Sequence, residues 1–325
     1  MYELCGALCV PLLPAMNEIN LLPRRLETTK TARQSGKTVF VVARYGMGLS
    51  GTVLRRIKWL EDGILLDGER VHTDVRVRTG QALSVRLSDP SAETDIPPVA
   101  LPLTIVCEDR DIVVVNKAPG MPSHPGPGHW SDSLGNALVS HWQQADPWAV
   151  FHPVHRLDKG TSGLMVVAKH PFAQEQLKNQ LHTPDFRRVY LAICEGAPDP
   201  DAGTIDAPIR RADSSVLRRT CAEDGVRAVT HYRTLSRGAG RALVELTLDT
   251  GRTHQIRVHM AHIGCPLVGD FLYGTERREL IARPALHSTR LSLRHPVTGE
   301  KLNFSAPIPG DMAALSAELT PESSL

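Results

Sequence analysis

Two short runs without a polar residue, Ile112-Val113-Val114-Val115 and Leu164-Met165-Val166-Val167-Ala168, constrain this chain more than any other feature. Apolar runs of this length, rich in β-branched residues, suit strands buried in a core. Asn116-Lys117-Ala118-Pro119-Gly120 follows the first run, and the second comes directly after the loop His155-Arg156-Leu157-Asp158-Lys159-Gly160-Thr161-Ser162-Gly163. From residue 103 to 312, strand-like and helix-like segments alternate without a break, which reads as one domain. Within it Ser133 is placed to cap a helix through Leu138 to His141, and Pro171 opens another over Phe172 to Leu177. Arg187 to Ile193 then returns as a strand.

Residues 37–88 read as a separate small module. Thr38-Val39-Phe40-Val41-Val42 is a β-rich run. Thr52 to Leu60 puts Val53, Leu54, Ile57 and Leu60 on one helical face, with Arg55, Arg56 and Lys58 largely off it. Asp67-Gly68 between two strand-like runs signals a hairpin, and Val75, Val77, Leu83, Val85 and Leu87 alternate with polar residues as strands do. Residues 24–86 hold 13 Lys and Arg against six Asp and Glu, whereas Ser88 to Asp111 holds six acids and one base. That asymmetry points the module at an anionic partner, and a solvated basic face accounts for the charge as well. Pro-rich, acidic residues 89–102 read as a linker, and residues 313–325 as a frayed tail. Residues 1–36 read as an extension, either disordered or upstream of a later start, since Met16 is internal to it.

Composition excludes several classes. With 42% hydrophobic and 22% charged residues the chain is globular rather than disordered. Leu4 to Met16 is apolar but too short to span a bilayer, and no basic residue precedes it as a signal peptide requires. Six cysteines without a Cys-x-x-Cys pair indicate neither a disulfide framework nor a zinc ribbon, which fits a reducing cytoplasm.

In the loop before the second apolar run one carboxylate, Asp158, stands between Arg156 and Lys159, and Gly160 to Gly163 is too small to cover it. The stretch reads as an ionised acid in a positive field or, equally, as a capped surface turn. Downstream, a helix starting near Arg252 would align His254, Arg257 and Ala261, with Ile256 and Met260 on the neighbouring face and Gly264 as the stop. Arg257 is then either a solvated cation or a fixed guanidinium. If Asp158 is partly buried, desolvation neutralises it unless a cation compensates, and Arg257 can do so bidentately. A carboxylate so held can attack an electron-poor carbon or take a proton.

These stretches, followed in order by Gly269-Asp270, Tyr273-Gly274, Leu286-His287 and His295-Pro296, resemble the RluA-type RNA pseudouridine synthases over roughly Leu103 to Pro309. The resemblance implies an α+β fold with a mixed, mainly antiparallel central sheet and flanking helices. Residues 37–88 resemble the alpha-L RNA-binding module, with Asp67 and Gln81 where that family has Asn and Asp. By the same resemblance Asp158 works on a uridine whose base detaches, rotates and rejoins through carbon. Tyr190 stacks on the uracil, Arg257 pairs with Asp158, and Arg156 fills the gap left by the flipped nucleotide. Lys117, Lys159, Thr161, Ile256 and His254 are implied as substrate contacts, and Arg55, Arg56 and Lys58 as RNA contacts of the module. Gly160 to Gly163 would be small so that the extruded nucleotide can pass. No cofactor and no metal is implied, because the isomerisation is redox-neutral. The expected partner is structured RNA, ribosomal before transfer RNA, and the expected state is a cytoplasmic monomer with no membrane association. Ala118 within Asn116 to Gly120 and Arg188 before Tyr190 depart conservatively from the family pattern.

Three other readings compete. Asp158-Lys159-Gly160-Thr161-Ser162 and Asp249-Thr250-Gly251 loosely mimic the loops of a pepsin-like protease, but Lys159 and Arg252 disfavour a proton shared between two acids. His152, His155, His254, His259 and His262 match no zinc spacing. A non-catalytic structured-RNA-binding protein makes no demand on Asp158, whereas Asp158, Tyr190 and Arg257 are all present.

Overall fold

The two apolar runs pair with each other. In the computed structural model, which describes residues 22–29, 32–88, 95–213, 215 and 217–321, the strand Ile112–Lys117 lies antiparallel to Ser162–Ala168 with Val114 opposite Val166. Side-chain alternation sends Val113, Val115, Met165 and Val167 to one face, beneath Leu134, Leu138 and Trp142 of the helix Leu134–Ala145. Ile112, Val114, Leu164 and Val166 go to the other, against Ala173 and Leu177 of the helix Pro171–Gln180 and Leu302 and Phe304 of a neighbouring strand. With both faces covered, neither run has a position that requires a polar side chain. Ser133 and Asn136 form a capping box on the first helix, and Pro171 with the His170 ring, which accepts the Ala173 N–H, opens the second.

The pair sits inside a sheet of eleven strands among the described residues. Its order runs Ala202–Asp206, Val229–Gly238, Arg241–Leu248, Arg187–Glu195, Leu286–Arg294, Ser162–Ala168, Ile112–Lys117 and Ile105–Glu108, with Lys301–Ser305, Thr320–Pro321 and His152–Pro153 pairing off this path. Every pairing is antiparallel except the short one where Ser162 and Gly163 meet His287 and Ser288. This is the mixed, mainly antiparallel sheet with flanking helices that the motifs imply. At the parallel contact Gly163 has φ +110°, and a Cβ there would lie 2.3 Å from the Ser288 carbonyl oxygen and 2.6 Å from its nitrogen. Close backbone approach, rather than passage of a nucleotide, is therefore the structural reason for a glycine at 163.

The small module has a four-stranded antiparallel sheet in the order Arg25–Thr29, Ala82–Arg86, Ile64–Leu66, Glu69–Arg70. Asp67 and Gly68, at φ 52° and 86°, make the hairpin turn. Expectations for the module and the chain ends are corrected. The extension assigned to residues 1–36 contains the strand Arg25–Thr29, which pairs with Ala82–Arg86. The run from Thr38 is helical, because the Thr38 hydroxyl accepts the Val41 N–H and Val39, Val42 and Ala43 face the core at helical spacing. Val75 and Val77 lie outside any ladder strand, their backbones bonded to Val39 N and to Gly36 N and Lys37 O. Residues 313–321 are no tail: the helix Gly310–Ser316 buries Met312 and Leu315, and Thr320–Pro321 pairs with Val229–Gly238. Residues 1–21, 89–94 and 322–325 lie outside the described residues.

Past residue 94 the proposed linker is packed. Ile96 joins the main core, and Asn136 bonds the Pro97 carbonyl and the Val99 N–H. The module itself is docked on the large sheet. Phe172 enters its core, Arg24 forks onto Asp111 at 2.7 and 3.0 Å, and Arg86 stacks over Trp148 at 4.6 Å.

Gly163→Ala is expected to cost about 3 kcal/mol or more, since backbone must move. Gly120→Ala, at φ +84° with nothing within 4 Å of an added Cβ, should cost only about 1 kcal/mol. Urea unfolding of both variants checks the difference, and equal losses would remove the close-approach argument.

Candidate active site

Asp158 is held by clamps on both sides of it. Ser123 Oγ donates to the Leu157 carbonyl at 2.7 Å and accepts the Leu157 N–H, while the Leu157 side chain is buried in the core. Beyond Asp158, its own carbonyl accepts the Thr161 N–H, the Lys159 carbonyl accepts the Gly120 N–H at 2.8 Å, and Arg283 donates to the Gly160 carbonyl at 3.1 Å. The backbone of the loop is thus tied to the segments around Gly120 and Arg283, and the Asp158 side chain is left one-fifth exposed.

It faces a cleft of about 850 Å³. Arg156, Asp158, Lys159, Thr161, Tyr190, His254, Ile256 and Arg257 all line it. Lys117 does not. Its ammonium lies beneath the loop, donating to the Ala118 and Met121 carbonyls at 2.8 Å, and burial pushes it down to about 7 against the pull of Asp158. Lys117 therefore pins backbone rather than meeting a ligand. Arg156 and Lys159 are exposed at the mouth, with Lys159 Nζ 3.2 Å from His129 Nε2. Tyr190 is buried on its strand between Leu246 and Ser288, and burial raises its phenol, so it is a neutral ring in the wall. Arg55 and Arg56 are exposed on the helix Gly51–Ile57 of the module, and Lys58 lies 4.8 Å over the Trp59 ring.

Arg257 is not a solvated cation. It is buried on the helix Gln255–His262, and its Nε and Nη2 make 2.7 Å bonds to Asp270, a carboxylate with no exposure. Its Nη1 alone approaches Asp158, 3.6 Å from Oδ2. The bidentate pairing expected with Asp158 is thus made with Asp270 instead. Burial would lower the guanidinium, but the hydrogen bonds and charge of Asp270 hold it above its ordinary value. His254 Nε2 is 4.0 Å from the same Asp158 oxygen, and the Tyr273 ring lies 5.1 Å from the Arg257 carbon. Burial lowers His254, opposed by Asp158. Sequence reasoning quoted Asp270 and Tyr273 only as motif letters. No spacing rule links Asp270 to Arg257, so it carried no signal of their pairing. Arg188 was likewise missed: it lines the cleft, almost wholly buried, with no hydrogen-bond partner for Nε among the described residues.

The competing readings lose their geometry. Asp249 is half exposed with His231 Nε2 at 3.1 Å, so it forms no acid pair with Asp158. Among the histidines considered as metal ligands, His155 Nε2 accepts the Val166 N–H, and His259 bonds Thr230 and the Ala207 carbonyl.

The sequence profile of the RNA pseudouridylate synthase family matches residues 111–262. The RNA pseudouridine synthase YjbO of Bacillus subtilis, uncharacterised, is 40% identical over 83% of this chain and 95% of that one. The chain belongs to the RluA-type RNA pseudouridine synthases. It is accordingly an isomerase that forms pseudouridine in RNA. A relative named ribosomal large subunit pseudouridine synthase D, from Xanthomonas campestris, is 40% identical over 83% of this chain and 85% of its own. Among solved structures, human RNA pseudouridylate synthase domain containing 1 superposes with a TM-score of 0.55 at 27% identity, covering 70% of this chain and 92% of that one. Among the described residues no helix is long and apolar enough to cross a membrane.

His155, at the start of the loop that carries Asp158, supplies a pH test. Its Nε2 is occupied as an acceptor and its buried Nδ1 has no partner among the described residues, and burial holds the ring down at about 3. The unfolded chain takes up this proton near pH 6.5 and the folded chain does not, so stability falls as pH drops below 6.5. His155→Gln is expected to lessen the loss between pH 7 and 5 by up to about 2 kcal/mol. Urea midpoints at the two pH values measure it, and an unchanged slope would place the proton uptake elsewhere.

Proposed function

We propose that Asp158 is the reacting carboxylate and that the enzyme modifies uridine in large-subunit ribosomal RNA. One observation carries the assignment: Asp158 is the carboxylate at the cleft that is both accessible and charge-compensated, with Arg257 Nη1 at 3.6 Å. Two routes begin from that ionised acid. In one it attacks C1′ of the ribose as the N1–C1′ bond breaks; in the other it takes a proton from the ribose and the base leaves by elimination. In the first route C5 of the turned base displaces the Asp158 oxygen from C1′, and in the second C5 adds to C1′ as the proton returns to the ribose. C5 then gives up its hydrogen as a proton and N1 gains one, so nothing is oxidised or reduced. Either route needs the acid ionised, and the Arg257 guanidinium faces Asp158 Oδ2 at 3.6 Å without forking onto it.

Tyr190 and Ile256, buried in the wall, offer flat apolar surface to a uracil ring, and stacking one base contributes about 1–3 kcal/mol. Arg156, exposed beside Asp158, is placed to fill the vacated stack, while Lys159, Arg188 and Arg252 offer positive charge to phosphates. Arg55, Arg56 and Lys58 extend that charge onto the module. The name of the Xanthomonas relative supports ribosomal RNA as the substrate. A cytoplasmic monomer suits this reading.

Asp158→Asn is expected to lower pseudouridine formation by about a thousand-fold or more while RNA affinity stays within a few-fold, because the amide keeps the shape and loses the charge. Turnover at the wild-type rate by that variant would sink the assignment. For the module, Arg55→Glu with Arg56→Glu should weaken RNA binding and reduce the log–log salt slope by about 2. Filter binding over a salt series tests this, and an unchanged slope would mean that the helix does not touch RNA.

A further inference from the structure

Tyr273 lies behind the cleft, outside its lining. Its hydroxyl stands between two partners: the Arg219 N–H donates to it at 2.8 Å, and His254 Nδ1 is 2.8 Å away. Arg219 belongs to the hairpin strand Arg219–Cys221, so the contact spans from that hairpin to the catalytic cleft. The Tyr273 ring meets the His254 imidazole edge-on, with centroids 5.6 Å apart. His254 is fixed in an unusual backbone conformation, φ 58°, immediately before its helix. Gln255 holds that turn, accepting from Arg252 N and Thr250 Oγ1 and donating to the Val229 carbonyl. The imidazole therefore has little freedom to turn away.

The proton on that imidazole can be placed by elimination. A phenol oxygen has one hydrogen to give, and a neutral imidazole has one donor and one acceptor nitrogen. If Nδ1 carried the proton, the hydroxyl would receive from both sides, and Nε2 would aim a bare lone pair at Asp158 Oδ2, 4.0 Å off. If the phenol donates to Nδ1, the proton sits on Nε2 and its positive end faces the carboxylate. The second arrangement uses the phenol hydrogen and is favoured by charge. We propose that Tyr273 is a positioning residue whose hydroxyl fixes the tautomer of His254, so that Nε2–H faces Asp158 as a second donor beside Arg257. At 4.0 Å that donor is poised rather than bonded, and such contacts tighten in the substrate complex. Its effect on rate rests on Asp158 being the reacting group; the tautomer itself does not.

The test uses full-length protein and an unmodified transcript of large-subunit ribosomal RNA. With ¹⁵N-histidine, NMR at about pH 8, where His254 is neutral, is expected to show it protonated at Nε2. Tyr273→Phe should lose that single tautomer and lower the single-turnover rate at saturating RNA about ten-fold, with Kd unchanged within about two-fold. His254→Ala should lower the rate similarly, and adding Tyr273→Phe to it should cost nothing more. Wild-type His254 protonated at Nδ1, or a Phe variant with its tautomer unchanged, overturns the proposal. So does a Phe variant with weaker binding and an unchanged saturated rate, which would make Tyr273 an RNA contact, or independent losses in the double variant. A fully active Asp158→Asn with the tautomer intact would refute the catalytic reading and leave the Tyr273–His254 link standing.

Discussion

A guanidinium removed from water must find its counter-charge and hydrogen bonds where it stands, and Arg257 finds them in Asp270. Because Nε and Nη2 are committed to a wholly buried carboxylate, the third nitrogen has one direction left, toward Asp158. That division of labour matters chemically. A direct fork between Arg257 and Asp158 would occupy both oxygens of the acid. A single approach at 3.6 Å sets a positive group beside the acid and leaves it one-fifth exposed at the cleft. The charge of the buried arginine is thus balanced by a residue with no exposure to the cleft.

The sheet supplies the rigidity on which this depends. Asp158 precedes the strand Ser162–Ala168, buried along its whole length, and its loop is closed on itself by Thr161 and sewn by Gly120 and Ser123 and by Arg283 to two other parts of the fold. Gly163 lets that strand lie against Ser288, and the same strand, Leu286–Arg294, pairs with the one that carries Tyr190. The acid and the aromatic wall are therefore set by one continuous set of backbone bonds. Displacement of either requires distorting a packed sheet, which is costly.

The amino-terminal module is built the same way on a smaller scale and is joined by more than chain connectivity. Arg24 and Asp111, Arg86 and Trp148, and Phe172 in the module's core all bridge it to the large sheet. An RNA held by Arg55 and Arg56 would then meet the cleft from a docked surface rather than from a tethered one.

Much of this was legible in the residues themselves. The two apolar runs declared buried strands, since a strand covered on both faces needs no polar position, and Ser133, Pro171 and Asp67-Gly68 announced their helices and turn through local chemistry. Asp158 and Arg257 stood out by motif and resemblance. Other features were not legible because they depend on what lies opposite. Thr38 to Val42 has strand propensity, yet the core below it takes Val39, Val42 and Ala43 at helical spacing. Lys117 reads as a ligand contact until the carbonyls of two loops surround its ammonium. The sequence by itself determined which residue types were available for the chemistry: an acid, a guanidinium and a ring. Only the tertiary structure decided that Asp270 takes the fork of Arg257, and that Tyr273 reaches His254 across 19 positions of chain, because pairing in a low-dielectric interior follows distance in space.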